Sequence, residues 1–319
     1  EGGFANAVTG TGGTWNLDES NITLDSGSGT KEGFDKVDIN SNSTLTLKTG
    51  GLEKFGQTDG DYNVAFSGGG TLNLSGYTLS SDQLDFTYQN GEGGTETFTG
   101  TLGLLNSKYT LSGGATYSVD LDGDATLTAE GTEVSVQSFT FDDGATLDLT
   151  QVNNTGNSNP LFTANSYSGS GILNVTITDD QLKEVPAHLE TNILDQDDET
   201  GANWFVAAGD ASGITEENVS IQVSGESGET GLSGSAEVTL QQGVTGTYEL
   251  GTAISSGGIG VNYRLIELDV AQNAVGFALD AGDQTDADLA VKLTGTGSIG
   301  IGGTIEVAYQ EGSEFAGKY

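Results

Sequence analysis

The sequence predicts an all-β chain wound as a solenoid of short strands, and three observations carry that prediction. The first is a recurring phrase: a Gly or Asp-Gly corner, then three to six residues that alternate polar and apolar. It appears as Gly69-Gly70-Thr71-Leu72-Asn73-Leu74, as Gly114–Val119, as Gly144–Leu149, as GSGILNVTI over Gly169–Ile177, and again over Gly295–Ile301. The second is that only 34% of the 319 residues are hydrophobic, yet their Leu, Ile and Val runs are periodic. A narrow, one-dimensional core needs fewer apolar side chains per residue than a globular one. The third is 51 glycines against 2 prolines with no collagen-like triplet. Glycine supplies positive φ at corners, while Thr, Val and Ile suit a pleated surface.

In chain order, the first strands are Thr14–Leu17 (TWNL) and Asn21–Leu24 (NITL), then Lys36–Ile39 (KVDI) and Thr44–Leu47 (TLTL), the last closed by a Gly50-Gly51 turn. Strict alternation of this kind is the signature of a half-buried strand. Corner spacing is irregular, with full units of roughly 20–25 residues, a solenoid scale. The whole chain, 1–319, reads as one such domain with an excursion over 179–240. Within the excursion, Asp179–Asn203 is poor in glycine and holds Pro186 and the single histidine, His188. Its Leu182, Val185, Leu189 and Ile193 lie three or four apart, which predicts a short helix over Gln181–Val185 capped by Asp179 or Asp180. Ser220–Val223 and Ala236–Leu240 read as strands. Further strand-like runs follow at Val261–Val270, Ala274–Leu279 and Ala287–Leu293.

The stretch Thr247–Ile301 carries a family resemblance. It has a tyrosine-containing run (VNYRLIELDV), an apolar run, the phrase Asp286-Ala287-Asp288-Leu289, and Leu293-Thr294-Gly295-Thr296-Gly297. In this order the motifs resemble the AIDA-type, antigen 43-like autotransporter adhesins of Gram-negative bacteria. The resemblance implies a secreted passenger folded as a right-handed parallel β-helix. It implies display on the bacterial cell surface, with a signal and an outer-membrane β-barrel lying outside these residues. It also implies a role in self-association, biofilm growth or attachment to host surfaces.

The formal net charge is −37, from 46 acidic and 9 basic residues. Nucleic acid is thereby excluded as a partner, because each phosphate contact needs a cation. Basic proteins and divalent cations are the partners such a surface favours. Cysteine is absent, which suits a chain that crosses an oxidising periplasm unfolded. No enzymatic signature stands out. A nucleophile–base pair needs a histidine beside a serine, and His188 has no nucleophile motif to pair with. A glycoside hydrolase needs two facing carboxylates, and among 46 acids chance pairs carry no information. Arg264, the single arginine, reads as a packing or ion-pair residue.

Binding residues are expected in two places. One is the acidic segment Asp195, Asp197, Asp198 and Glu199 with Trp204, which departs from the repeat and so projects from the scaffold. The other is an outward face carrying Asn73, Asp148, Asn174 and Thr176, if Leu72, Leu74, Leu147, Leu149 and Val175 point inward. No cofactor is expected, with calcium as the one candidate ion. Its best site is Asp195, Asp197, Asp198 and Glu199, followed by Asp59-Gly60-Asp61 and Asp122-Gly123-Asp124. The expected partner is a second copy of the chain, meeting it antiparallel through ladders of Asn, Thr and Ser. Host matrix glycoproteins such as fibronectin, laminin or collagen are the alternative, and a glycan-active β-helix enzyme is a third.

Overall fold

The computed structural model describes residues 12–152, 161–177, 190–192, 206–208, 219–223, 229–230, 234–255, 258–270, 278–280, 290–293 and 300–302. Among them are strands, turns and two single 3-10 turns, Leu52–Phe55 and Ser81–Gln83, and no α-helix. The helix expected over 181–185 lies outside the described residues. The chain divides into two compact units. The first comprises the described parts of Glu1–Thr176, Ile193–Gln222 and Thr252–Val261; the second, those of Ile177–Asn192, Val223–Gly251 and Asn262–Tyr319.

The first unit is a parallel β-solenoid. Its parallel strands stack in three ladders. The first ladder begins with Thr14–Leu17, Lys36–Ile39 and Ala65–Ser67, paired in parallel. In the second, Asn21 pairs with Thr44, Thr44 with Thr71, Thr71 with Thr101 and Thr101 with Ser118. It continues as Val119 pairs with Phe139 and Phe139 with Tyr167. The third stacks Leu79, Tyr109, Leu127, Leu147 and Leu173. Coil lengths fall on both sides of the expected 20–25 residues. The shortest step on the second ladder runs from Thr101 to Ser118, and the longest from Thr71 to Thr101. The long coils are long because antiparallel hairpins loop out of them, at Gln57–Thr58 with Asp61–Tyr62 and at Thr87–Gln89 with Thr95–Thr97.

Constant register fixes the core. The column Leu45, Leu72, Leu102, Val119, Phe139 and Tyr167 is buried throughout. So is the column two residues on, through Leu47, Leu74, Leu104, Leu121 and Phe141. Each such side chain contributes roughly 1.5–3 kcal/mol by leaving water. Aromatic volume passes from one wall to another along the stack. In the early coils the rings come from outside the second ladder: Trp15 lies 5.7 Å from Phe34 and 6.3 Å from Phe55, and Phe55 lies 6.2 Å from Phe66. Phe86 continues the file, 6.2 Å from Phe66 and 4.5 Å from Tyr117. Leucine faces these rings across the core. In the late coils Phe139, Phe141 and Tyr167 occupy the leucine columns, while Val134 pairs with Phe162 and Val136 with Ala164. Phe162 closes on Phe139 at 5.3 Å, so in these coils aromatic rings meet each other and keep the core filled.

Corner glycines are required where successive coils touch. A Cβ on Gly100 would lie 1.8 Å from the carbonyl oxygen of Gly70, and one on Gly70 would lie 2.4 Å from that of Asn40. The Gly-Thr-Leu phrase therefore encodes backbone contact between coils as well as a turn.

The second unit has its own pairings. Gly234–Gln241 and Val244–Leu250 form an antiparallel hairpin with a positive φ of 80° at Gly243. Glu190–Asn192 runs antiparallel to Asn262–Arg264. Glu267–Val270 runs parallel to Ala290–Leu293, and Ala278–Asp280 parallel to Gly300–Gly302. The runs read as strands at 220–223, 236–240 and 261–270 are strands here, and those at 274–279 and 287–293 are strands over their described residues.

Two substitutions test the core and the corners. Tyr167 is fully buried and its hydroxyl has no hydrogen-bond partner, so Tyr167→Phe should raise stability by about 1 kcal/mol in urea denaturation. Gly100→Ala should lower the thermal midpoint by several degrees because backbone must move. Gly91→Ala, at a hairpin tip with open space around it, should leave the midpoint unchanged.

Candidate functional site

Alternation places one polar file on the outer face of the second ladder. Thr44, Thr71, Thr101 and Ser118 follow each other in register, each partly exposed, one residue before the first buried column. Two residues on, the outward file reads Thr46, Asn73, Gly103, Asp120, Thr140 and Ser168. Hydroxyl groups therefore recur at the inter-strand spacing of about 4.8 Å. The third ladder repeats the pattern with Thr126, Thr146, Thr128 and Asp148.

The expected face residues fall on two ladders. Leu72, Leu74, Leu147, Leu149 and Val175 are all buried, so Asn73, Asp148, Asn174 and Thr176 do alternate with inward side chains and are partly exposed. Asp148 and Asn174 are register partners, with Thr176 two residues along the same strand. Asn73 stands on the second ladder, away from them. Two of the four also have local work. Asp148 Oδ1 accepts from the Thr150 amide at 3.0 Å and from its hydroxyl at 2.7 Å, closing a turn. Asn73 lies across Gly103, filling the place where a Cβ would stand 2.2 Å from its Oδ1. Asp195, Asp197, Asp198, Glu199 and Trp204 lie outside the described residues, as does His188. Arg264 sits opposite Glu190 in an antiparallel pair.

The two described candidates for calcium are turn chemistry. Asp59 and Gly60 have φ of 55° and 105°, two successive left-handed residues that close a tight hairpin. At Asp122-Gly123-Asp124, Gly123 has φ 62° and the Asp124 amide donates to Asn106 Oδ1 at 3.0 Å. Among the described residues no group of three or more acidic or histidine side chains converges as an ion would require. Asp120 stands beside this corner. Partial desolvation, followed by repulsion from Asp142 and Asp122, holds its carboxyl above the usual aspartate range.

Sequence reasoning missed the lateral hairpin of Thr87–Gln89 and Thr95–Thr97, whose outer residues cover a lysine. Lys36 points outward from the first ladder, yet its side chain is only 7% exposed. Its Nζ pairs with the Glu96 carboxylate, and the Tyr88 ring centroid lies 5.4 Å from it. The hydrogen bond from Lys36, then that from Asn90, holds the Glu96 carboxyl below the usual range. The signal was present in the run TYQ-NGEGG-TET, two short alternating strands around a glycine-rich turn.

The fold defines the first unit as a parallel β-solenoid whose outer faces carry ordered hydroxyl and amide groups. Nothing among protein-family models, curated proteins or solved structures matches the chain.

The pH dependence at Asp120 follows from linkage. A carboxyl whose pKa is raised on folding favours the folded state while protonated, and that advantage is lost as pH rises from its ordinary value of 3.8 through the folded value. Asp120→Asn should therefore stabilise the protein at neutral pH. Its gain in urea midpoint should be larger at about pH 7 than at about pH 5.

Proposed function

We propose that this chain is the passenger of a bacterial cell-surface adhesin, which binds through an extended polar face without catalysing a reaction. The observation that carries the reading is the in-register outward file Thr44, Thr71, Thr101 and Ser118 on a rigid, leucine-filled ladder. A file of hydroxyls at fixed spacing suits many weak, repeated contacts, which become strong by avidity when many copies are displayed together. The resemblance of 247–301 to AIDA-type passengers supports the same reading, including biofilm formation and autoaggregation as its biological context.

The partner that best suits a self-complementary file is a second copy of the chain, running antiparallel. The charge of −37 opposes that contact at long range, so it depends on screening. The same charge favours a second reading, attachment to host extracellular-matrix proteins through their basic patches. Calcium enters only as a bridging ion between carboxylates of two copies.

Salt separates the two. For contact between copies, sedimentation of the purified chain should show a dimer that strengthens with salt or calcium. The double variant Thr71→Glu/Thr101→Glu should weaken it by about tenfold or more with an unchanged circular dichroism spectrum. A monomer at every salt concentration, with binding to immobilised basic matrix protein that weakens as salt rises, would replace self-association with the second reading.

A further inference from the structure

On the second-ladder strands the second and fourth positions are buried, so the first, third and fifth face outward. The hydroxyl file is therefore one of three outward columns on the same face. The fifth position carries a column with unlike ends. Lys48 pairs in register with Ser75, Ser75 with Leu105, and Leu105 with Asp122. Lys48, Leu105 and Asp122 are exposed. Leu105 is one of two large apolar side chains so exposed among the described residues, the other being Ile172 on the third ladder. The third position runs from Thr46 at one end to Asp120 at the other. One end of this face thus carries an ammonium and the other end two carboxylates, in a chain with 46 acidic and 9 basic residues.

The two ends are not spent on ion pairs within the fold. Among the described residues the ion pair is Lys36 with Glu96, and neither Lys48 nor Asp122 takes part in it. Asp25, the acid that follows the first strand of this ladder, is committed to its own turn. Its Oδ1 accepts from the Gly27 amide at 2.9 Å and from the Ser28 hydroxyl at 3.3 Å. At the opposite end Asp120 and Asp122 share their corner with Asp142, and that crowding adds to partial desolvation in raising the Asp120 carboxyl. The backbone beneath the column is fixed. The Lys48 carbonyl accepts from the Tyr77 hydroxyl at 2.7 Å and from the Gly51 amide at 2.7 Å. The Leu105 carbonyl accepts from the Gly76 amide at 3.0 Å, and that of Asp122 from the Asn106 amide at 3.1 Å. A face held this way costs little further ordering when it meets a partner.

We propose that two copies of the chain meet through this face about a two-fold axis lying along the strands, between Thr71–Ser75 and Thr101–Leu105. The inference rests on self-association as the function and specifies its register. Rotation about that axis reverses the order of the strands and keeps each column opposite itself. Lys48 of each copy then faces Asp122 of the other, and Thr46 faces Asp120. Thr44 faces Ser118, and Thr71 faces Thr101. The contact is isologous, as a two-fold axis requires. The two Leu105 side chains lie beside the axis, which gives the contact an apolar centre with an ion pair on each side. A parallel arrangement would bring the two acidic corners to the same level, so charge selects the antiparallel one. Ion pairs enclosed in the contact are screened much less than the repulsion between the distant charges of the two chains. Added salt therefore weakens what opposes association more than what holds it.

The contact is smaller than a standard interface, so it is best read on beads densely coated with the whole chain, where avidity amplifies it. Clustering is followed by light scattering across salt concentration. Wild-type beads should cluster. Lys48→Glu sets two carboxylates against each other on both sides of the axis, and Asp122→Lys sets two ammonium groups there. Beads of either variant alone should therefore cluster about tenfold more slowly or worse. The two variants mixed should cluster with each other as wild type does, because both facing pairs are again unlike in sign while both chains stay strongly acidic. The double variant Lys48→Glu/Asp122→Lys should cluster with itself and not with wild type, an arm that keeps the test decisive if one single variant fails to fold. Single variants that cluster like wild type overturn this register and leave self-association standing. Loss that neither the mixture nor the double variant restores also overturns it. Wild-type beads that cluster at no salt concentration overturn both the register and the self-association it rests on.

Discussion

Stacking of like on like along the second ladder is the constraint on which the first unit depends. Leu45, Leu72, Leu102 and Val119 each rest on the same position one coil away, and each is buried. A one-residue slip would turn such a column outward, because side chains alternate with a period of two. Register is thus strongly specified, while the length of chain between rungs is free. That freedom allows one coil to close tightly between Thr101 and Ser118 while its neighbour carries a whole hairpin between Thr71 and Thr101.

The same constraint sets what the outside can offer. Once the leucines are fixed inward, Thr44, Thr71, Thr101 and Ser118 must lie in file on the opposite side. The face is ordered because the core is ordered, and no loop is needed to hold it. Outward polar residues on the two ladders are not interchangeable, however. Asn73 is occupied in covering Gly103, and Asp148 in closing the turn to Thr150. Free hydroxyls on the threonine file are better suited to meet a partner than these two, which already have work within the fold.

Charge acts against the shape. An array of weak contacts gains from close approach, and a net charge of −37 resists it. At physiological salt the Debye length is about 8 Å, so the repulsion is felt mainly as the surfaces close. The hydroxyl file reduces that cost locally, because its members are uncharged, whereas the corner around Asp120, Asp122 and Asp142 concentrates it. Asp120 stands two residues from Ser118 on the same strand, so repulsion acts at that end of the hydroxyl file.

Much of the fold was legible in the residues. The alternation in TWNL, NITL, KVDI and TLTL gave the strands, and the glycine before Thr71 gave the corner, because both are local consequences of period-two burial and positive φ. The outward direction of Asn73, Asp148, Asn174 and Thr176 followed from the same period. Coil boundaries from Thr87 to Thr97 were not legible, since a short alternating run reads alike whether it joins a parallel ladder or folds back as a hairpin. By itself the sequence determined the strands, the corners and the inward leucines, all set by neighbours within a few residues. Only the tertiary structure decided that Asn73 and Asp148 stand on different ladders and that Lys36 meets Glu96, because winding the chain sets which distant residues share a face.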